Sequence, residues 1–466
     1  MIRLITTFII TFLLFVTSTF SQKITGDWYG QLDIHGTKLR INFHITEKDG
    51  VFKTTMDSPD QDAFGMPTDD TKFTDNDLSV SLKSIGVTFK GKLKADEIDG
   101  TFTQGGMNMP LHLTHKKIEK VKAKKRPQDP VKPYNYKSEE VTFVNETANN
   151  IKLSGTLTLP KGVKNPAVAI LISGSGPQNR DEEVQAFNHR PFLVLSDYLT
   201  NNGIAVLRYD DRGVAKSEGS QIDATSADFA TDVEAAVTYL QSRTDIDTNK
   251  IGLIGHSEGG LIAPIVASNN KNIAFIVSLA GPGVDGGEVL RTQTKRAFEL
   301  AGADKKHIDY NDKMSGNIFK IIQKSKNDKT LNSKITTYIQ KARKNAPESL
   351  AKSLTDEAIK KQIKSLTSPW IAYFIKTDPK QFLCEVECPV LAINGEKDFQ
   401  VIPKLNLEGL KKGLKKSKDV TIMELEGLNH LFQNCDTGSV EEYKDIEETF
   451  SPKALKIISD WINKRF

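Results

Sequence analysis

Cysteine is scarce in this sequence, with three among 466 residues, at positions 384, 388 and 435. So small and odd a number excludes a fold held together by a framework of disulfides. Cys384 and Cys388 lie close together along the chain, but no histidine lies near them to complete a zinc site. We therefore predict no metal site, and we interpret these two cysteines as small buried apolar residues.

A strong charge of one sign is also lacking. The chain has 63 Lys and Arg against 59 Asp and Glu, a formal net charge of +4. No stripe of basic residues is interleaved with aromatics, so a nucleic acid is excluded as the expected partner. With 38% hydrophobic and 26% charged residues, the chain can bury a sizeable core in two or three domains. These values leave a soluble enzyme or a binding protein.

Long apolar runs are confined to the amino terminus. Arg3 precedes an apolar stretch over residues 4–16, and small polar residues lead up to Gln22 as at a cleavage site. We interpret residues 1–21 as a signal peptide, which predicts a secreted or periplasmic protein. The alternative is an uncleaved anchor, although the stretch is shorter than the ~20 residues that span a bilayer. No other segment is long and apolar enough, so no stable membrane insertion is expected after cleavage.

Residues 22–115 alternate between apolar and polar side chains and are interrupted by Gly, Asp and Asn. This pattern predicts short antiparallel strands in a small all-β barrel or sandwich domain. In one such strand, "KLRINFHI", the residues predicted to share a face are Leu39, Ile41, Phe43 and Ile45. Residues 116–136 combine a run of Lys and Arg with several prolines, which predicts an exposed basic linker.

Beyond the linker, short apolar runs alternate with helical patterns. The predicted strands are residues 167–172, 203–209, 250–255, 273–280, 389–394 and 420–425. The first five are apolar throughout, which is typical of a parallel sheet covered by helices on both faces. Helical spacing in "DFATDVEAAVTYLQS" and in "PKALKIISDWINKRF" predicts two of the covering helices. We assign this α/β core to residues 137–281 and 381–466.

Residues 282–380 separate two of these strands. The segment is rich in lysine and has helical spacing of its apolar residues, as in "NIFKIIQK" and "SPWIAYFIKTDP". A connection of this length needs structure of its own, so we predict a helical cap inserted into the core.

A serine stands between two glycines in "LIGHSEGGLI", at the end of a predicted buried strand. Gly255 and Gly259 have no Cβ to obstruct a sharp turn from strand to helix, so Ser257 would be exposed at the edge of the sheet. A glycine-rich turn without catalytic function is the alternative. The position after a buried strand favours a nucleophile elbow.

A serine hydroxyl needs a base. On folds with a nucleophile elbow, the acid and then the histidine follow the serine along the chain. Asp398 lies in the loop after one predicted strand, and His430 follows the next. Glu396 lies in the same loop as Asp398 and competes for the role of the acid, and Asp211 is a weaker competitor. His189 is the one other histidine near the predicted site loops, where a structural role is expected.

An oxyanion hole requires two backbone N–H groups. The N–H of Glu258 lies directly after the serine, at the positive end of the following helix. The loop "ISGSGPQNRDE" follows another strand, and in it we choose Ser175 as the second donor. The loop "YDDRGVAKSEG" is expected to support the site, with Asp210, Asp211 and Arg212 in ion pairs or turn hydrogen bonds.

The sequence resembles exported α/β-hydrolases of the esterase and serine-aminopeptidase-like type that carry a small β domain in front. The resemblance rests on "SGSGPQNRDE", "HRPFLVLSDYL", "LRYDDRGVAKSEG", "GHSEGG", "AGPGV", "SPWIAYF" and "GLNHLFQ", and on "TMDSPDQDAFGMPTDDT" in the β domain. The chain departs from this family at Asn179, where an Asp is usual, and at Ala215, where a Gly is usual. Both positions lie in loops beside the expected site, so specificity is affected more than chemistry.

The residues and the resemblance together predict a serine hydrolase that cleaves carboxylic esters through Ser257, His430 and Asp398, with no metal and no cofactor. The resemblance implies a small-molecule ester of short or medium acyl length as the substrate. An aminopeptidase or amidase with the same triad is the alternative, and an inert glycan-binding or lipid-binding protein is a third. We expect apolar residues of the cap, such as Trp370, to select the acyl chain. The β domain is expected to lie outside the chemistry, so a protein beginning near Tyr134 should still cleave a small ester.

Overall fold

The structure is a computed structural model that describes residues 24–34, 37–61, 63–104, 107–119, 126–325, 329–351 and 354–466. The predicted signal peptide, residues 1–21, lies outside the described residues. The chain divides into two compact units, Met1–Ala123 and Lys124–Phe466. None of the described helices combines the length and the apolar character needed to cross a membrane.

The described part of the first unit is an antiparallel sheet with the strand order β4-β3-β2-β1-β9-β8-β7-β6-β5. Its strands are β1 (Gly26–Ile34), β2 (Thr37–Lys48), β3 (Val51–Ser58), β4 (Ala63–Pro67), β5 (Asp70–Thr74), β6 (Asp77–Leu82), β7 (Val87–Lys94), β8 (Glu97–Gln104) and β9 (Met107–Thr114). The sheet curls into a half-barrel, and the Thr71 hydroxyl of β5 donates to the Thr54 hydroxyl of β3 at 2.9 Å. The predicted small all-β domain is confirmed.

Alternation along the strands places one side-chain row of the half-barrel in a common core. Ile41, Phe43 and Ile45 of β2 are at most 2% exposed, and Leu39 packs against the same core. Trp28 is completely buried and donates its indole N–H to the carbonyl of Ile24 at 2.7 Å. The interior is therefore filled by side chains.

The second unit contains a sheet with the strand order β10-β11-β13-β12-β14-β15-β16-β17. Its strands are β10 (Lys137–Asn145), β11 (Ile151–Leu159), β12 (Val168–Ile172), β13 (Ala205–Tyr209), β14 (Ile251–His256), β15 (Phe275–Leu279), β16 (Val390–Gly395) and β17 (Val420–Leu425). Neighbouring strands from β13 to β17 are parallel, whereas β10 and β11 are antiparallel to their neighbours.

All six predicted strands of this sheet are present within a few residues of their predicted ends. Every residue of β12 to β16 is buried, as predicted for strands covered on both faces, whereas β17 at the edge is only partly buried. The sequence analysis missed the hairpin of β10 and β11. Its alternating residues, as in "VTFVN", were the available signal.

Helices pack on both faces of the sheet. The described helices of this unit, those of the cap included, are α1 (Pro191–Asn201), α2 (Ser226–Gln241), α3 (Gly259–Asn269), α4 (Gly286–Leu300), α5 (Lys305–Lys324), α6 (Leu331–Arg343), α7 (Glu348–Ala351), α8 (Asp356–Leu366), α9 (Pro369–Lys376), α10 (Lys380–Leu383), α11 (Pro403–Gly413) and α12 (Pro452–Asn463). One apolar cluster holds residues of α2, α3 and α11, and another holds residues of α1 and α12. The predicted covering helices α2 and α12, and with them the α/β-hydrolase fold, are confirmed.

The predicted helical cap, residues 282–380, contains α4 to α9, whereas Leu383 of α10 packs in the core of the α/β unit. The cap has an apolar core of its own, which includes Ile318, Phe319 and Ile322 of α5, all at most 8% exposed. These residues pack against other cap helices, so the apolar spacing of α5 reflects internal packing.

Arg126 and Gln128, at the carboxyl-terminal end of the predicted linker, are held against the rest of the second unit, whereas neighbours such as Val131 are exposed as predicted. Arg126 is 5% exposed and donates to the carbonyl oxygens of Ile446 at 2.6 Å and Phe187 at 2.5 Å. The Gln128 side chain donates to the carbonyl of Phe450 at 2.7 Å. A proline-rich segment forms no strand, but its side chains can still bind main-chain carbonyls, and composition does not reveal this.

Candidate active site

Ser257 stands in the turn between β14 and α3. Its φ of 53° lies in the left-handed region, which is strained for a residue with a Cβ. Its N–H donates to the carbonyl of Leu279 on β15 at 2.8 Å, which ties the turn to the sheet. A Cβ on Gly255 would lie 2.0 Å from the carbonyl oxygen of Gly259, so the turn requires the glycine. The predicted strand–turn–helix geometry is present.

His430 and Asp398 lie in the loops that follow β17 and β16. His430 Nδ1 lies 2.7 Å from Asp398 Oδ2, and the two residues are 4% and 3% exposed. The other carboxylate oxygen accepts the N–H groups of Gln400 at 2.8 Å and Val401 at 3.0 Å. These bonds fix the carboxylate, which in turn orients the imidazole and leaves its Nε2 for a third group.

The competing acid Glu396 is directed elsewhere. It is exposed, and its carboxylate accepts the N–H of Gly427 at 2.9 Å. The structure therefore brings Asp398 to His430, and Glu396 closes the neighbouring turn.

The histidine lies beside the serine turn. The ring of His256, which directly precedes Ser257, has its centroid 4.7 Å from that of His430. Ser257 and His430 thus belong to one site at the carboxyl-terminal edge of the sheet.

The loop after β12 reaches the same place. A Cβ on Gly174 would lie 3.2 Å from the Cβ of Ser257, so the loop runs directly beside the serine. Among the described residues, no acceptor takes the backbone N–H of Ser175 or of Glu258. The two N–H groups chosen from the sequence are available to a ligand.

Arg180, Asp210 and Arg212 hold the surrounding loops together. Arg180 donates to Asp210 at 2.7 Å, and Arg212 donates to Asp232 of α2 at 2.7 Å. Both arginines have largely buried side chains, so these ion pairs are poorly screened by water. The structural role expected for Asp210 and Arg212 agrees with these contacts.

Asp211 supports the loop after β12. Its carboxylate accepts the Ser173 hydroxyl at 2.7 Å and the Gln178 N–H at 3.1 Å. Burial raises the pKa of Asp211 to about 7, and the two hydrogen bonds oppose that shift. It also accepts from the Gln221 side chain at 3.3 Å, so its contacts are with loops, as expected for a supporting residue.

The two departures from the family pattern lie in tight turns. Ala215 has a φ of 47°, in the left-handed region where a glycine carries no steric cost. The Asn179 side-chain oxygen accepts the N–H of Asp181 at 3.0 Å, and its amide donates to Glu183 at 3.1 Å. An aspartate could make the first bond and not the second.

His189 is completely buried away from the serine. Its ring nitrogens lie 3.0 Å from the Thr449 hydroxyl and 2.9 Å from the Tyr443 carbonyl. Burial lowers the pKa of His189 to about 4. These contacts agree with the structural role expected for it.

Two site residues were missed by the sequence analysis. Glu182 lies 2.8 Å from His256 although 74 positions separate the two residues along the chain. In the sequence, His256 is recognisable only as part of the serine motif, and Glu182 only as part of a loop. No local pattern signals a contact between such distant residues.

The cap contacts the serine turn through α9. Trp370 donates its indole N–H to Glu258 Oε1 at 2.8 Å, and the Ser226 hydroxyl donates to the same oxygen at 2.6 Å. Burial raises the pKa of Glu258, and these two donors oppose the shift. Phe374 stacks on Trp370 with ring centroids 5.8 Å apart. The cap therefore borders the site, as the sequence predicts.

The three cysteines are free thiols, and the described ranges contain no cluster of His, Cys, Asp and Glu that could hold a metal ion.

The chain is similar to a known protein family, to two known proteins and to a solved structure. The family described as "Serine aminopeptidase, S33" matches residues 190–434. Esterase EstD of Thermotoga maritima is 26% identical over 284 residues, which are 60% of this chain and 58% of EstD. Thiohydrolase aneE of Aspergillus aculeatus is 30% identical over 146 residues, 30% of this chain and 40% of that protein. The chain thus spans less than two thirds of either relative. Among solved structures, the Pyrococcus furiosus esterase Pf2001 is 17% identical, with 71% of this chain and 93% of that chain covered and a TM-score of 0.42.

Proposed function

This chain belongs to the serine aminopeptidase S33 family and has the α/β-hydrolase fold, and on that premise we propose that it cleaves carboxylic esters through a serine acyl-enzyme. The observation that carries the proposal is the buried pair of Asp398 and His430, 2.7 Å apart, beside the strained turn of Ser257. Acid, base and nucleophile come from three different loops at one edge of the sheet, as acyl transfer on this fold requires.

In the first step Ser257 Oγ attacks the carbonyl carbon of the ester while His430 Nε2 takes the hydroxyl proton. The carbonyl oxygen becomes an anion, and the free N–H groups of Ser175 and Glu258 are the donors proposed to bind it. His430 then gives its proton to the leaving alcohol, and the acyl group stays on Ser257.

In the second step water attacks the acyl-enzyme. His430 takes a proton from the water and returns it to Ser257, which releases the carboxylic acid. Asp398 remains ionised, holds His430 in the tautomer with a free Nε2, and stabilises the imidazolium that forms twice in each cycle.

Esters are favoured over peptides by the surroundings of Glu258. An aminopeptidase needs an acidic group that binds the ammonium of its substrate. Glu258 and Glu182 are buried carboxylates beside the serine turn, but Glu258 Oε1 already accepts from Trp370 and Ser226, and Glu182 Oε1 accepts from Gly174. The name of EstD, an esterase, points in the same direction. An amidase or aminopeptidase with the same triad remains the second candidate because of the family description.

The proposal is tested with a panel of p-nitrophenyl esters beside aminoacyl anilides. We expect turnover of short and medium acyl esters that disappears in Ser257→Ala. Turnover of the anilides with higher kcat/KM than the esters would replace the ester proposal by the peptidase alternative. A folded protein that cleaves neither class would contradict both and favour an inert binding protein.

We further propose that the protein is exported and that its mature form begins near Gln22, because residues 1–21 have the pattern of a signal peptide. The intact mass of the protein isolated from its native host tests this. A mass that retains these residues would indicate an anchor instead.

A further inference from the structure

One buried carboxylate joins two sides of the proposed site. Glu182 Oε1 accepts the backbone N–H of Gly174 at 2.7 Å and lies 2.8 Å from His256 Nδ1. Gly174 directly precedes Ser175 in the oxyanion loop, and His256 directly precedes Ser257. Glu182 therefore holds the oxyanion loop through the backbone of Gly174 and the nucleophile turn through the side chain of His256.

His256 extends this connection to the third loop. Its Nε2 lies 3.0 Å from the backbone carbonyl of His430, so both ring nitrogens face oxygen atoms. A carboxylate and a carbonyl can only accept hydrogen bonds, and only the doubly protonated imidazolium donates from both nitrogens. In a neutral ring one nitrogen carries no hydrogen, so its lone pair would face the lone pairs of an acceptor oxygen, which is unfavourable.

The surroundings favour that charged form. Burial opposes the charge, but it is outweighed by the Glu182 carboxylate, by the His430 carbonyl and by the nearby Asp398, so the pKa of His256 is raised. Glu182 and His256 are 4% and 6% exposed, so little water screens the charges of the pair.

The backbone of Glu182 is held in a costly conformation. Its φ is 50°, in the left-handed region, which is strained for a residue with a Cβ. The residues before it are fixed by ion pairs of Arg180 with Asp210 and of Asp181 with Arg208. The loop is thus anchored so that the carboxylate of Glu182 points inward.

We propose that Glu182 and His256 form a buried ion pair that positions the oxyanion loop, the nucleophile turn and the His430 loop for acyl transfer. This inference rests on the proposed function. Both are positioning residues, because they act through Gly174, Ser257 and His430 and touch no reacting atom.

The variant Glu182→Gln separates charge from shape. A glutamine oxygen of the same reach can accept from Gly174 and His256, but it gives no negative charge to keep His256 protonated. We expect kcat for p-nitrophenyl acetate to fall about tenfold to a hundredfold, less than the ~10²–10³ from removal of an oxyanion donor. KM should stay within about twofold, since the pair acts on the reacting geometry and not on the bound ester.

The pH profile carries the decisive information. With Glu182 absent, His256 loses its proton at lower pH, so the alkaline limb of the kcat profile should move to lower pH. The ratio of variant to wild-type kcat should therefore rise toward mildly acidic pH. His256→Gln should lower kcat by a similar factor. For this variant, the ratio of its kcat to the wild-type kcat should not depend on pH. Glu183→Gln is the matched control, since the neighbouring Glu183 contacts Asn179 and Arg190 and not the site.

The rate at which a fluorophosphonate labels Ser257 distinguishes this inference from the proposed function. We expect the wild type and Glu183→Gln to be labelled at equal rates. Glu182→Gln and His256→Gln should be labelled at rates lower by about tenfold or more. Equal labelling of all four, or a kcat ratio independent of pH in folded Glu182→Gln, would overturn the positioning role alone. A folded wild type that the reagent does not label would overturn the proposed function itself.

Discussion

Trp370 of the cap donates its indole N–H to the carboxylate of Glu258, the residue directly after Ser257, at 2.8 Å. Glu258 is 3% exposed, so this bond is made away from water. The backbone N–H of the same Glu258 is one of the two proposed oxyanion donors. Helix α9 of the cap is therefore fastened to the residue that would bind the developing anion, which links substrate selection to the reacting geometry.

Trp370→Ala should change the preference among acyl chains. Removal of the indole leaves apolar space beside the serine turn, and each methylene buried there contributes about 0.8 kcal/mol. That energy corresponds to about fourfold in kcat/KM per methylene. We expect kcat/KM across an acyl series to shift toward longer chains in Trp370→Ala.

Trp370→Phe serves as its control, because phenylalanine keeps an aromatic ring that fills most of the indole's space and lacks the N–H to Glu258. We expect its acyl-chain profile to stay close to that of the wild type. If folded Trp370→Ala shows an unchanged profile, the cap does not select the acyl chain through this residue.

Asp398→Asn should lower kcat by up to ~10⁴-fold, since an amide in place of the carboxylate favours the wrong tautomer of His430. Glu396→Gln should stay within about twofold of the wild type, because Glu396 bonds to Gly427 and not to His430. Steady-state kinetics on p-nitrophenyl acetate decides between them. A much larger loss in Glu396→Gln than in Asp398→Asn would show that the acid has been assigned to the wrong residue.

The effect of removing the first unit on activity and melting temperature should depend on where the chain is cut. A protein beginning at Lys124 keeps Arg126 and Gln128, whose bonds reach the loops near Phe187 and Phe450. A protein beginning at Tyr134 loses these bonds, and hydrogen bonds from charged groups contribute about 1.5–3 kcal/mol each. We expect the Lys124 protein to cleave p-nitrophenyl acetate like the full chain and the Tyr134 protein to melt several degrees lower.

This revises the expectation from the sequence, according to which a protein beginning near Tyr134 should still cleave a small ester. Equal melting temperatures for the two truncated proteins would show that the contacts of Arg126 and Gln128 add nothing to stability. An inactive but folded Lys124 protein would show that the β unit takes part in the chemistry.

Asp211→Asn should stabilise the protein more at alkaline than at acidic pH. Burial raises the pKa of Asp211 to about 7, so the folded chain binds this proton more tightly than the unfolded chain, whose Asp pKa is about 3.9. The free energy of unfolding therefore falls as pH rises from about 4 to about 7, and the uncharged Asn removes that fall.

The measurement is the difference in melting temperature between Asp211→Asn and wild type at about pH 5 and about pH 8. Asp223→Asn, in an exposed loop, is the control. A difference that is equal at the two pH values, or larger at the lower one, would contradict the assignment of this proton to Asp211.

The sequence predicts Ser257, Asp398 and His430 as site residues because each follows a recognisable strand and because the fold fixes their order along the chain. The fold class, with its small β domain and helical cap, follows from the change from alternating strands to strands that are apolar throughout, which begins at β12. Burial of Arg126 could not be predicted, since a basic residue among prolines has the composition of a solvated segment. The contact of Glu182 with His256 depends on the packing of two distant loops, and no period or motif records it.

The central claim is that Ser257 is the nucleophile of an acyl-transfer site, and stoichiometric labelling with a fluorophosphonate followed by peptide mapping tests it most directly. The account predicts one adduct per chain, on the peptide that contains Ser257, with no adduct in Ser257→Ala and labelling slowed by orders of magnitude in His430→Ala. An adduct on another serine, or ester hydrolysis that persists undiminished in Ser257→Ala, would contradict it.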